Sequence, residues 1–146
     1  MKTIFIFLLA ITFNSCNSQE KKPMEPKTKK TDAEWKAQLS DVEYEVLRNK
    51  GTERAYTGEY WDHFEKGIYV CAACEAQLFE SDTKFESHCG WPSFDKAING
   101  AVKYNKDISY GMIRTEVVCA NCDGHLGHIF DDGPKETTGQ RFCTNS

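Results

Sequence analysis

Apolar residues along the chain follow a helical pattern before Gly51 and a strand-like pattern after it. Thr31-Asp32-Ala33-Glu34 and Ser40-Asp41-Val42-Glu43 both have the S/T-x-x-E form of a capping box. In a capping box the hydroxyl and the glutamate satisfy N–H groups left free at a helix start, so each segment is expected to begin a short helix. The apolar sides of these helices are predicted to comprise Trp35 and Leu39, and Val42, Val46 and Leu47, with Gly51 as the stop of the second.

The apolar runs after Gly51 are short or alternating, and Gly, Asp, Asn and Pro separate them. This pattern is typical of antiparallel strands joined by turns. The clearest strand signals are Gly67–Val70, Ala101–Tyr104, Met112–Val118 and Gln140–Cys143. The fold is therefore expected to be mainly β, with a small helical piece at its N-terminal end.

The start of the chain has the layout of an export signal. Met1-Lys2-Thr3 precedes an apolar run from Ile4 to Phe13, and Asn14-Ser15-Cys16 follows it. Such a run is too short to span a bilayer as a mature helix. Cys16, directly after a small residue, resembles the acylated cysteine of a bacterial lipobox, although Phe13 and Asn14 are not its usual residues. Residues 1–15 are predicted to be a lipoprotein-type signal peptide; the alternatives are a plainly cleaved signal peptide and a cytosolic protein with an apolar start.

The stretch after the signal is polar and gives way to one folded domain. Residues 16–30 hold five lysines and two prolines and are predicted to be a flexible, lipid-anchored tether. Residues 31–146 are long enough for a single domain with a modest core. The net charge of -4 and a pI near 5.6 argue against nucleic acid as a partner. The expected location is the bacterial cell envelope, with the domain tethered to a membrane.

Four of the seven cysteines form two similar pairs, Cys71-Ala72-Ala73-Cys74 and Cys119-Ala120-Asn121-Cys122. Each pair follows a strand-like run, so both sulfurs of each can turn toward one point. Two such knuckles supply the four thiolates of a closed structural zinc site, and one Zn²⁺ is predicted here. Two redox-active pairs, a pair of disulfides, and iron in a rubredoxin-like site are the alternatives.

Two thiols and two histidines remain in the domain: Cys89, Cys143, His125 and His128. A thiol with a nearby imidazole can act as a nucleophile. Taken singly, an unpaired cysteine is more often a buried small apolar residue, and two histidines three apart more often lie at surface or metal-binding positions.

The combination of motifs resembles the signature of the type B methionine sulfoxide reductases. Its parts are the two knuckles, Thr52–Gly58, Gly90-Trp91-Pro92-Ser93-Phe94, His125–Pro134, Gly139, and Arg141-Phe142-Cys143-Thr144-Asn145-Ser146. Their order and spacing agree with that family from about Leu39 onward. The resemblance implies a fold of two small antiparallel sheets with structural zinc knuckles. It also implies a monomer that reduces the R epimer of methionine sulfoxide in oxidised proteins.

The resemblance further implies a role for each site residue. Cys143 would attack the sulfoxide sulfur and become a sulfenic acid, and Cys89 would resolve it as a disulfide that a thioredoxin-like protein reduces. His128, and after it His125, are the candidates for the acid that protonates the oxygen. The remaining members are Trp91 and Phe94 as substrate-binding residues and Asn145 as a hydrogen-bonding residue.

Other interpretations of these residues stay open. Trp91 could be an ordinary core aromatic and Asn145 a solvent-exposed residue. A non-catalytic zinc-ribbon binding module would leave the histidines and spare thiols without a role. A zinc hydrolase would need His125 and His128 as ligands, although four cysteines already saturate the metal.

Overall fold

The structure is a computed structural model and describes residues 27–146. The predicted signal peptide, Cys16 and most of the predicted tether lie outside the described residues. The last residues of that tether stretch contact the domain, since the Thr28 amide donates to the Asn121 carbonyl at 2.8 Å. No helix within 27–146 has the length and apolar character needed to cross a membrane.

Both predicted helices are present and both begin at a complete capping box. Helix α1 spans Asp32–Gln38 after Thr31, and α2 spans Asp41–Leu47 after Ser40. The prediction that Gly51 ends the second helix was wrong, because the helix ends at Leu47. Val42 was also wrongly placed on the apolar side: it is 67% exposed, and Leu47 in the last turn is the buried residue.

Seven strands of the described chain form two antiparallel sheets, which confirms the predicted fold class. The small sheet pairs β1 with β2, and the large sheet has the order β3-β7-β6-β5-β4. The strand signals in the sequence correspond to β1, β4, β5 and β7, whereas β2, β3 and β6 were not predicted. The strands are β1 (Ile68–Val70), β2 (Gln77–Glu80), β3 (Ser93–Phe94), β4 (Val102–Asp107), β5 (Arg114–Cys119), β6 (His125–Phe130) and β7 (Arg141–Thr144).

Three phenylalanines join the two sheets in the core. Phe79 of β2 stacks on Phe94 of β3 with ring centroids 4.3 Å apart, and it meets the edge of Phe142 of β7 at 5.6 Å. Burial of each ring contributes about 1.5–3 kcal/mol. Phe94 and Phe142 lie directly opposite each other in the β3–β7 ladder, which places Ser93 opposite Cys143.

Candidate active site

The β3–β7 pairing brings two thiols together. Cys89 lies on the segment that leads into β3, and its Sγ is 3.5 Å from the Sγ of Cys143 on β7. Both cysteines are free thiols and half-buried. This distance is within reach of a disulfide after a small movement, since bonded sulfurs lie about 2.05 Å apart.

The pKa values of the two thiols are shifted in opposite directions. Burial opposes ionisation of Cys89, but hydrogen bonds from Ser87 and Ser93 outweigh it and lower the pKa of Cys89 to about 7. Burial, followed by the neighbouring Cys89 sulfur, raises the pKa of Cys143 to about 12. At neutral pH the pair therefore holds a substantial fraction of thiolate on Cys89 and a thiol on Cys143.

Cys143 faces a small cavity that Trp91 and His128 also line. Its volume is about 150 Å³, and the other lining residues are Thr52, Arg114, Gly127, Phe130, Thr144 and Asn145. Cys89 is not among the lining residues, so Cys143 is the sulfur that a molecule in this cavity would meet. The indole N–H of Trp91 donates to the Glu53 carbonyl at 3.1 Å, which uses the one polar atom of that side chain.

A hydrogen bond to a carboxylate determines which ring nitrogen of His128 carries the hydrogen. The Nε2 atom of His128 lies 2.8 Å from Oδ2 of Asp107, at the end of β4. Hydrogen bonds from Ser109 and then from His128 hold the pKa of Asp107 well below its usual range. An ionised carboxylate can only accept a hydrogen bond, so Nε2 of His128 carries a hydrogen and donates it to Asp107.

His125 occupies a buried position behind His128. Its Nδ1 lies 2.8 Å from Oε1 of Glu116, and Lys50 Nζ lies 2.9 Å from the other oxygen of that carboxylate. Burial lowers the pKa of His125 although Glu116 opposes this, so the ring is neutral at pH 7. The His125 and His128 ring centroids are 5.5 Å apart, but His125 does not line the 150 Å³ cavity.

The structure does not bring Phe94 to the cavity, although the motif placed it beside Trp91. Phe94 is 1% exposed and belongs to the aromatic core. Asn145 does line the cavity, but its amide is engaged by backbone. Its Oδ1 accepts from the Glu53 amide at 2.9 Å and its Nδ2 donates to the Leu126 carbonyl at 3.0 Å. Asn145 and Trp91 are thus both anchored to Glu53.

Polar residues that sequence reasoning did not assign complete the site. Cys143, His128, Glu116 and Asn105 lie opposite one another on β7, β6, β5 and β4, so they form one row on one face of the sheet. A signal for Glu116 exists in the sequence, because a charge inside the apolar run Met112–Val118 requires a partner when buried.

Arg141 and Gly127 also shape the position of Cys143. Arg141 lies two residues before Cys143 on β7, and the alternation of a strand puts both on one face. Its guanidinium donates two hydrogen bonds to Asp132, at 2.8 and 2.9 Å. The positive charge of Arg141 also lowers the pKa of Cys143, but burial raises that pKa by more. Gly127 allows β6 to approach β7, because a Cβ there would lie 2.0 Å from the Cys143 carbonyl oxygen.

The two CxxC knuckles converge on one point, as predicted. All four sulfurs lie within 4.8 Å of one another, and the cluster is largely buried. Cys71 and Cys122 are 3.7 Å apart, and Cys74 and Cys119 are 3.6 Å apart. The two knuckles have the same backbone turn, since the residue after each second cysteine, Glu75 or Asp123, has a left-handed φ of 59° or 58°.

This geometry fits a tetrahedral metal ion. Metal–sulfur distances of about 2.3 Å give sulfur–sulfur edges of about 3.8 Å, close to those observed. Four thiolates this close repel one another, and a bound cation would offset that repulsion. The four cysteines could therefore hold a metal ion.

Comparison with known proteins finds one family over most of the described chain. Residues 39–146 match the family model described as the SelR domain. A protein of Agrobacterium fabrum named peptide methionine sulfoxide reductase MsrB is 54% identical over 121 residues, which are 82% of this chain and 89% of the relative. A protein of Thiobacillus denitrificans with the same name is 57% identical over 118 residues, or 80% of this chain and 89% of the relative.

Proposed function

The chain belongs to the SelR domain family, and we propose that it reduces the R epimer of methionine sulfoxide in peptides and proteins to methionine. One structural observation supports the proposal independently of the names of the relatives. Cys143, Trp91 and His128 line a single cavity, and a second thiol, Cys89, lies 3.5 Å behind the first. A nucleophile, an aromatic ring and a proton donor serve the reduction of a sulfoxide, and a second thiol can regenerate the nucleophile.

In the proposed reaction Cys143 is the nucleophile. Its sulfur forms a bond to the sulfoxide sulfur while the oxygen is protonated, and the oxygen then passes to Cys143. The thioether is released as methionine and Cys143 becomes a sulfenic acid. The proton balance closes within the site, because Cys143 begins as a thiol and its proton is equivalent to the one that the oxygen acquires.

His128 is proposed to carry this proton. Asp107 holds Nε2–H of His128, which leaves Nδ1 to take the proton and deliver it to the oxygen. His125 and Glu116 are proposed as positioning residues that support His128 from the buried side. Asn145, whose amide joins β7 to Glu53 and Leu126, is proposed to fix the position of Trp91 and Cys143.

Trp91 is proposed to contact the S-methyl group of the substrate. A sulfur-bound methyl group packs favourably against an indole, and such a contact selects one arrangement of oxygen and methyl at the sulfur. We do not assign Phe94 to substrate binding, because its ring is enclosed by Phe79 and Phe142.

Cys89 is proposed to resolve the sulfenic acid. Its thiolate attacks the Cys143 sulfur, a disulfide forms, and the oxygen leaves as water after taking up a proton. A thioredoxin-like protein then returns both cysteines to the thiol state. The lowered pKa of Cys89 supports this role, because a thiolate attacks more readily than a thiol.

Zinc is proposed as the ion held by Cys71, Cys74, Cys119 and Cys122. When bound there it supplies a structural cross-link, since four protein ligands fill a tetrahedral site. The proposed reaction steps are carried out by residues outside this cluster.

The proposed activity is tested with racemic N-acetylmethionine sulfoxide and dithiothreitol, followed by chiral chromatography. We expect the R epimer to disappear and the S epimer to remain, because Trp91 and His128 together admit one configuration at sulfur. Consumption of both epimers at equal rates, or of neither, would contradict the proposal.

The resolving role of Cys89 predicts a dependence on the reductant. Cys89→Ser is expected to turn over with dithiothreitol, which can reduce the Cys143 sulfenic acid directly, but to stop after a single turnover when thioredoxin is the reductant. Steady-state rates with each reductant measure this. Normal turnover with thioredoxin would show that resolution takes another route.

A pH titration supplies the control for the same variant. The ultraviolet absorbance of thiolate in the reduced wild type is expected to rise with a midpoint at about pH 7, because the proton leaves Cys89 as pH increases through its pKa. Cys89→Ser is expected to lack this step. A midpoint that survives in the variant would assign it to another group.

We also propose that the protein is an exported lipoprotein of the bacterial envelope. The layout of residues 1–16 supports acylation at Cys16, and residues 16–30 would tether a monomeric domain, residues 31–146, to the membrane surface. Its substrates would then be oxidised proteins outside the cytoplasm. Mass spectrometry of the mature N-terminus distinguishes a lipid-modified Cys16 from a plainly cleaved signal.

A further inference from the structure

The loop between β4 and β5 exposes an unusual cluster of large apolar side chains. Ile108 is 69% exposed, Tyr110 91%, Met112 44% and Ile113 82%. Single exposed apolar residues are common on soluble proteins, but four within six positions of one loop are typical of a surface that binds a partner. We call residues 108–113 the β4–β5 loop.

The backbone of this loop is held in one shape that displays Tyr110. Tyr110 and Gly111 have left-handed φ values of 54° and 70°. A bulky residue rarely adopts that conformation, and glycine or asparagine would be the favoured residue at 110 if local stability alone mattered. Hydrogen bonds at both ends, from the Ser109 amide to Asp107 at 2.9 Å and from the Met112 amide to Ser109 at 3.1 Å, fix the loop.

The loop borders a groove that adjoins the candidate active site. Ile108, Ser109 and Tyr110 line a groove of about 750 Å³, five times the volume of the 150 Å³ cavity that contains Cys143. Thr52, Arg114 and His128 line both spaces. A chain that places one side chain against Cys143 can therefore continue into the groove.

A second groove lies on the opposite face of the large sheet. It has a volume of about 550 Å³ and includes Ile113, Thr115 and Ile129 among its lining residues. Thr115 and Ile129 pair with each other one position away from Glu116 and His128, so the alternation of the strands directs them away from the face that holds Cys143. The first groove, with Ile108 and Tyr110, is therefore the one through which an extended chain would leave the cavity.

We propose that the first groove, with Ile108 and Tyr110 of the β4–β5 loop, binds the polypeptide that flanks a methionine sulfoxide, with a preference for an apolar neighbour. The inference rests on the proposed function and adds a substrate class to it. Continuity with the cavity favours this occupant over a lipid surface or a second copy of the chain. The first groove is also lined by polar side chains, among them Lys50, Lys106 and Ser109.

The test compares one small and two peptide substrates in the double variant Ile108→Ser, Tyr110→Ser. The substrates are N-acetylmethionine R-sulfoxide and short peptides with a central methionine R-sulfoxide flanked either by leucines or by serines. The variant is expected to lose about tenfold in kcat/KM, mainly through KM, for the leucine peptide, because its serines bury far less apolar surface against the leucines. Rates for the small substrate and the serine peptide are expected to stay close to wild type.

Ile68→Ser is the matched control, since Ile68 is exposed by 49% on the small sheet and lines none of these spaces. Equal losses for all three substrates, or none for the leucine peptide, would overturn the proposal. If the wild type formed a dimer or bound vesicles and the double variant did not, with peptide kinetics unchanged, the loop would instead be assigned to a second copy or a lipid surface.

A binding measurement separates this proposal from the reductase activity itself. Fluorescence anisotropy of the labelled leucine peptide is measured in the Cys143→Ser background, in which no turnover consumes it. Weaker binding when Ile108 and Tyr110 are replaced supports the groove whether or not catalysis occurs. Failure of the wild type to reduce N-acetylmethionine sulfoxide would count against the proposed function alone.

Discussion

Cys143→Ser is expected to abolish turnover of methionine R-sulfoxide, with a loss on the order of 10⁴-fold or more in kcat, because a serine hydroxyl cannot accept the oxygen by this chemistry. The exchange of sulfur for oxygen changes little in volume, and Cys143 is held by backbone pairing with His128 and Ser93. Initial rates with dithiothreitol and the R epimer measure the effect.

Two controls accompany this variant. Its thermal unfolding midpoint and its zinc content should equal those of the wild type, since Cys143 is not part of the four-sulfur cluster. Cys89→Ser, the neighbouring cysteine 3.5 Å away, should retain activity with dithiothreitol. An active Cys143→Ser enzyme would remove Cys143 from the role of nucleophile.

Cys119→Ser is expected to leave the domain unfolded at room temperature. Cys119 is 0% exposed and lies at the end of β5 in the cluster that joins both knuckles. Structural zinc sites contribute roughly 10–16 kcal/mol of apparent binding free energy, whereas a domain has only about 5–15 kcal/mol of total stability. Circular dichroism and metal analysis of the purified variant measure the outcome.

Chelation of the wild type provides an independent route to the same result. Removing the ion should lower the unfolding midpoint sharply, and added zinc should restore it. Cys89→Ser serves as the matched cysteine control and should keep both metal and fold. A metal-free Cys119→Ser protein that unfolds at the wild-type temperature would show that the cluster does not stabilise the domain.

Features encoded by neighbouring residues were predictable from the sequence. The capping boxes at Thr31 and Ser40 define helix starts through contacts within four residues. The strands β1, β4, β5 and β7 follow from alternation or apolar runs of a few residues. The knuckles were predictable because two identical spacings after two strands leave few ways to arrange four sulfurs, and the structure brings them within 4.8 Å.

Features that depend on pairing between distant strands were not predictable. Residues three apart on a regular strand face opposite sides, yet His125 and His128 share a face. A bulge explains this: His128 lies opposite Glu116 and His125 opposite Val118, so three steps on β6 match two on β5. Because this bulge and Gly127 interrupt the regular alternation of residues, the sequence pattern did not predict β6.

Two other site features depend equally on the tertiary fold. The contact of Asp107 with His128 requires β4 to lie beside β5 and β5 beside β6. The burial of Phe94 follows from its register with Phe142, which a motif position beside Trp91 does not reveal. Local sequence therefore indicated the chemistry of the site, whereas the order of the strands determined which groups support it.

The closeness of the two thiols also limits damage to the enzyme. In the proposed cycle the oxidised Cys143 has two fates, attack by Cys89 or irreversible conversion to a sulfinic acid by a second oxidant molecule. Because Cys89 lies 3.5 Å away and needs to approach by only about 1.5 Å to form the bond, its local concentration far exceeds that of any dissolved peroxide. If resolution follows this route, it is expected to be faster than overoxidation, so the enzyme would stay active in the oxidising conditions that create its substrate.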